Sequence, residues 1–168
     1  SKDLRIKQRE PKTSLDVVLA VDSSRSMAEF GKLFYAKKTA IGLAFAASRR
    51  GDRVGVIAFS NNAQEIIRPT QNVRRFINKI TNLEPLLFTN VEDALRRSMD
   101  ILTRDRLPTR KHIILVTDGV PTACSEMREI AFGLAYFYNT YYQNIAKEAA
   151  LKQAKNCRSR DISISTIC

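Results

Sequence analysis

Histidine occurs once in this chain of 168 residues, as His112, and cysteine three times, as Cys124, Cys157 and Cys168. The cysteines are odd in number and widely spaced, so they match neither a disulfide framework nor a zinc ligand pattern. They suit a reducing interior. No apolar run is long enough to span a bilayer, and the opening SKDLRIKQRE has no signal-peptide core. Together these absences lead us to expect a cytoplasmic protein that does not enter a membrane, although an initial Ser leaves room for an upstream segment. The phosphate-binding pattern G-x-x-x-x-G-K-[ST] is missing, and a lone His112 near a strand start makes a Ser/His/Asp triad implausible.

Acidic residues are the minority, 17 against 28 Lys and Arg, for a net charge of +11. That balance favours acidic partners: nucleic acid, anionic lipid or an acidic protein face. The cations are scattered (Arg49-Arg50, Arg74-Arg75, Arg96-Arg97, Arg104 to Arg110, Lys152 to Arg160), the pattern of solvated faces rather than of one nucleic-acid groove. The apolar share of 44% and charged share of 27% are those of an ordinary globular protein, and the length suits one domain with a substantial core.

The chain is organised around Leu15 to Met27, LDVVLAVDSSRSM. Its apolar run has the pattern of a central strand buried on both faces, as in a parallel sheet under helices. It stops at Asp22-Ser23-Ser24-Arg25-Ser26. Ligands of open α/β sheets bind at the carboxyl ends of central strands. Asp22, Ser24 and Ser26 would point one way if the loop stays extended, and a carboxylate with hydroxyls is hard oxygen chemistry suited to Mg²⁺ or Mn²⁺. For so short a motif on its own, helix capping is the commoner role of such residues.

Residues 1–14 form a basic lead-in in which Leu4 and Ile6 suggest a short edge strand. Ala28 to Arg50 places Leu33, Ala36, Ala40, Leu43, Ala44 and Ala47 on one helical face, with Gly51 as its C-terminal stop. VGVIAF (54–59) reads as a second buried strand, and Gln64 to Arg68 as an antiparallel edge strand closed by Pro69. Val73, Phe76, Ile77 and Ile80 mark a short helix. Val91 to Arg104 predicts another, with Ala94, Leu95, Ser98, Ile101 and Leu102 inward. HIILVT (112–117) and ISISTI (162–167) are further strands. Between them, Val120 to Asp161 holds Phe132, Tyr136, Phe137, Tyr138, Tyr141 and Tyr142, mostly packing residues by expectation, and then a basic helix ending near Lys155. Alternating strands and helices imply an α/β, doubly wound, mostly parallel sheet with helices on both faces. In such a sheet Asp22 and Asp118, each following a buried strand, share one rim.

Asp22-Ser23-Ser24-Arg25-Ser26-Met27, Thr89 in a loop before a helix, Thr117-Asp118-Gly119 after a strand, and the fragment VGVIAF together resemble the von Willebrand factor A domain over residues 15–168. The resemblance implies a Rossmann-like fold carrying a metal-ion-dependent adhesion site. In that site Ser24, Ser26 and Thr89 offer hydroxyls, and Asp22 and Asp118 act directly or through water. It further implies a non-catalytic interaction module in which Mg²⁺ (or Mn²⁺) captures an Asp or Glu of an acidic protein partner. The family usually has Gly where this chain has Arg25, and commonly Gly where it has Phe88. Arg25 could repel the cation or clamp the incoming carboxylate, and Phe88 could narrow the approach. The family also normally continues past the strand matching ISISTI with a helix, a strand and a closing helix. Either the chain is a fragment or the long Val120 to Asp161 region substitutes. Among the family's branches the chain looks most like prokaryotic intracellular members that work with AAA+ ATPases of MoxR or chelatase type. The alternative is a basic nucleic-acid-binding domain, as in RNA-binding members. A Mg²⁺-dependent phosphoryl-transfer enzyme ranks lower, because dehalogenase-like phosphatases need Asp where this chain has Ser24.

Overall fold

Asp16 to Val21 are buried without a break, and the strand they form, β1 (Leu15–Asp22), holds the centre of the sheet. The computed structural model describes residues 14–72, 74–85, 88–125 and 140–168. The lead-in strand expected around Leu4 and Ile6 lies outside them, as do Val73, Phe132, Tyr136, Phe137 and Tyr138. Four more strands are described: β2 (Arg53–Phe59), β3 (Ala63–Thr70), β4 (Arg110–Val116) and β5 (Ile162–Ile167). Their order is β3-β2-β1-β4-β5. Only the β2–β3 pairing is antiparallel; β1 with β2, β1 with β4, and β4 with β5 run parallel.

Alternation along β1 divides the core in two. Val17, Leu19 and Val21 join a cluster with Leu33, Ala36, Ala40, Ala44 and Ala47 of α1 (Lys32–Arg49) and Ile80 of α2 (Arg74–Thr81). Val18 and Ala20 face the other way, toward α3 (Val91–Arg104) and α4 (Thr140–Arg158). Helices therefore cover both faces of a mostly parallel sheet, as expected. The inward face of α1 is largely alanine, which lets the helix backbone lie close to the strands.

Two boundaries differ from the sequence reading. The helix expected from Ala28 begins only at Lys32, because residues Arg25–Gly31 form a tighter 3₁₀ segment with a break in it. Phe30 (φ 52°) and Gly31 (φ 72°) are left-handed there, a conformation that interrupts any right-handed helix. Pro69 does not close β3 but lies within it. An edge strand tolerates proline because its outward side needs no ladder donor. Ile77 also departs from expectation, being 38% exposed while Ile80 is fully buried.

Pro69 sits against Gly55, where the β2–β3 register shifts. A Cβ on Gly55 would meet Pro69 Cδ at 3.0 Å and the Ile67 carbonyl oxygen at 3.1 Å. Neither neighbour can swing aside. Gly55→Ala is therefore expected to cost about 1–3 kcal/mol, read as a lower urea midpoint with an unchanged slope.

Candidate metal centre

The parallel register decides which side chains meet at the carboxyl rim. Val21 pairs with Val116 and Asp22 with Phe59, so Thr117 comes level with Asp22 as both strands end. The Asp22 side chain is fully buried. It accepts the Ser24 N–H at 2.7 Å on one oxygen and the Thr117 hydroxyl on the other. Burial pushes the Asp22 carboxyl above its ordinary pKa of 3.8, the bonds from Thr117 and Ser24 oppose that, and the Asp118 charge adds to it.

Hydroxyls fill in around this carboxylate. Ser24 Oγ lies 3.2 Å from Ser26 Oγ, and Ser26 donates to Asp118 Oδ1 at 2.9 Å. Ser24 precedes the 3₁₀ segment yet makes no side-chain capping bond. The capping role therefore does not account for its hydroxyl. A Cβ placed on Gly119 would lie 3.8 Å from Thr89 Oγ1 and 3.9 Å from Ser26 Oγ, so Thr89 and Ser26 converge beside Gly119. Asp22, Ser24, Ser26, Thr89 and Asp118 are thus gathered at one end of the sheet from three separate parts of the chain.

The loop carrying Thr89 is held from both sides. Its N–H donates to Thr122 Oγ1, and its carbonyl accepts the N–H groups of Thr122 and Ala123. Asn90 accepts the Asp93 N–H as N-cap of α3 and donates to the Asn61 carbonyl at 3.1 Å. Asn61 in turn accepts the Phe88 N–H. Asn90→Ala removes both the cap and a buried tie to the β2–β3 turn. It is expected to cost about 2 kcal/mol, the upper end for a cap, measured by urea unfolding. Phe88 is half-buried and packs against the Cys124 and Ala146 cluster, where Tyr142 also packs. Tyr141, by contrast, is 67% exposed. Arg25 is exposed beside the rim.

Sequence reasoning passed over four supports: Asn61, Asn90, Thr122 and Lys32. The last is the most consequential. Lys32 Nζ lies 2.6 Å from Asp118 Oδ2. Its available signal was a cation in the first turn of a helix, where the macrodipole disfavours positive charge. The hydrogen bond that Lys32 donates to Asp118, with the Asp118 and Glu29 charges, outweighs desolvation and raises the Lys32 pKa above its ordinary value.

Two carboxylates and three hydroxyls make an all-oxygen donor set, which suits Mg²⁺ or Mn²⁺ and not zinc or copper. Among the described residues no cluster of three His, Cys, Asp or Glu offers a rival metal site. The ammonium on Asp118 shows that this oxygen accepts a cation. The residues fit the ion.

A sequence model of the von Willebrand factor type A domain matches residues 17–120, more than half of the chain. The chain belongs to that family. Searched against curated proteins, the sequence finds no match. Solved structures share the fold. The PilB minor pilin from Streptococcus sanguinis superposes with a TM-score of 0.75 at 17% identity, over 94% of this chain and 50% of that one. BatB from Bacteroides thetaiotaomicron gives 0.67 at 20% identity, over 91% and 65%. The vWF domain of the type V pili tip protein Mfa5 from Porphyromonas gingivalis gives 0.62 at 23% identity, over 67% and 40%. This vWA domain thus spans 40% of the Mfa5 chain. Within the described residues, no helix is long and apolar enough to cross a membrane.

Proposed function

We infer that this vWA domain is a non-catalytic interaction module with a metal-ion-dependent adhesion site, built from Asp22, Ser24, Ser26, Thr89 and Asp118. The observation that carries the reading is the convergence of three hydroxyls and two carboxylates on the rim, with the Ser24 hydroxyl unused as a cap. Mg²⁺ held there would supply an electrophilic position for a partner's Asp or Glu. The chain does the rest. Asp22 and Asp118 balance the dication, while the hydroxyls add donors without adding charge. Thr117 and the Ser24 N–H fix the orientation of Asp22, and Thr122 and Asn90 fix the Thr89 loop.

The partner is an acidic protein surface. The AAA+ ATPase expected from the sequence is one protein of that chemistry. The pilus proteins among the structural relatives share the fold, and adhesion is one interaction of the proposed kind. Three widely spaced cysteines suit a cytoplasmic setting and the pilus relatives an exterior one; the metal bridge works in either. The sole histidine, His112, sits in β4 opposite Val17, away from the rim and beside Ser163. The rim therefore carries no histidine.

The test is a thermal melt of wild type and Asp118→Ala in EDTA and in millimolar Mg²⁺ or Mn²⁺. A stabilisation present in wild type and lost in the variant supports the site. Salt-sensitive retention of RNA that survives Asp118→Ala would instead favour nucleic-acid binding.

A further inference from the structure

We propose that Lys32 is a built-in competitor for the cation site, its ammonium occupying the Asp118 carboxylate until a divalent ion displaces it. This rests on the metal-centre reading above and adds a mechanism that sets how tightly the ion is held. Asp118 divides its two oxygens: Oδ1 accepts the Ser26 hydroxyl at 2.9 Å and Oδ2 the Lys32 ammonium at 2.6 Å. The ammonium therefore sits on the very carboxylate that the ion would need, one bond removed from the Ser26 hydroxyl.

The backbone explains how Lys32 comes to be there. It is the first residue of α1 and follows two consecutive left-handed residues, Phe30 and Gly31. That reversal separates the 3₁₀ segment carrying Ser26 from the helix carrying Lys32 and lets both reach Asp118. A cation in this first turn opposes the helix dipole. Its pairing with Asp118 offsets that cost in the metal-free domain, and it also neutralises one of two carboxylates on a shared rim. Once displaced, the ammonium has an open side to move to. The Lys32 side chain is 39% exposed and lines a cavity of about 320 Å³ that is bordered by Asp118 and Thr117 and also by Tyr35, Thr39 and Ile167. Loading is thus an exchange of one cation for another, and the apparent affinity falls by the fraction of molecules in which Asp118 is already taken.

The experiment titrates Mg²⁺ into wild type, Lys32→Gln, Lys38→Gln and Asp118→Ala, read by thermal shift and by calorimetry. Lys38 lies on the same helix, with its ammonium 4.4 Å from the Phe34 ring centroid, so its variant removes an equal charge without touching Asp118. Lys32→Gln is expected to lower the Mg²⁺ midpoint roughly two- to fivefold, the range set by an exposed ion pair. Lys38→Gln should leave it in place. Equal midpoints for wild type and Lys32→Gln, with a response that Asp118→Ala abolishes, would overturn the competitor and keep the metal centre. Equal shifts for the two lysine variants would reduce the effect to net charge and also overturn it. Absence of any Mg²⁺ response, Lys32→Gln included, would overturn both readings.

Discussion

Protein carrying Asp22→Asn is expected to melt in EDTA no lower than wild type and to gain nothing from millimolar Mg²⁺. Wild type, with Mg²⁺ at a hundred times its Kd, should gain about 2.7 kcal/mol by mass action. For a domain of this length that is roughly 5–10 °C in melting temperature. The contrast follows from the fully buried position of Asp22. Without the ion its charge pays a desolvation cost that an amide avoids. The amide oxygen can still accept the Ser24 N–H, and the Thr117 hydroxyl can accept from the amide instead of donating. The amide cannot supply charge to a dication. The pH dependence has a definite sign. Because burial raises the folded pKa of Asp22 above 3.8, its contribution to metal-free stability is full below the unfolded value. It is lost as pH rises through the folded one. Asp22→Asn removes that slope. Retention of the whole Mg²⁺ shift in this variant would place the ion elsewhere.

Arg53→Met should be the most damaging single change at the opposite end of β1, costing about 3 kcal/mol. Asp16 is 1% exposed there and accepts a bidentate pair from Arg53, Nε at 2.8 Å and Nη2 at 2.7 Å, plus the Thr109 hydroxyl at 2.8 Å. Removing one partner of a buried pair strands the other charge, which typically costs 3–5 kcal/mol. The 24% exposure of the Arg53 side chain sets the low end. Burial pushes the Asp16 pKa up, but the bonds from Arg53 and Thr109 outweigh it, and the Arg53 and Lys111 charges add to them. The net shift is downward from 3.8, so the stabilisation is present above that pH and is lost as pH falls through the folded value. With Arg53 gone the burial cost is opposed less, and acid unfolding should begin at higher pH. The double variant Asp16→Asn/Arg53→Met should recover much of the loss, the non-additivity that marks a direct pair. Urea midpoints between pH 7 and pH 3 read Asp16→Asn, Arg53→Met and the double variant. A cost under about 1 kcal/mol would mean that water already screens the pair.

Local signals determined the architecture. β1 and β2 are buried on both faces and β4 is largely buried over Ile113–Val116, so these stretches read as apolar runs, while α3 carries a periodic inner face and acids in its first turn. Each signal spans fewer residues than the element it marks. The rim acids were readable for the same reason, since Asp22 and Asp118 are the points where apolar strands turn polar. The start of α1 was not readable. It depends on a left-handed Phe30, a conformation that no phenylalanine announces. Nor was the hold on the site, because its partners lie far apart in the chain: Thr117 on Asp22 across 95 residues, Lys32 on Asp118 across 86, and Thr122 on Thr89 across 33. Residue type and periodicity act over a few positions, and they were enough to fix strands, helices and candidate ligands. Which oxygen faces which, and that a lysine already sits on one of them, was decided only when the parallel register brought the strand ends level.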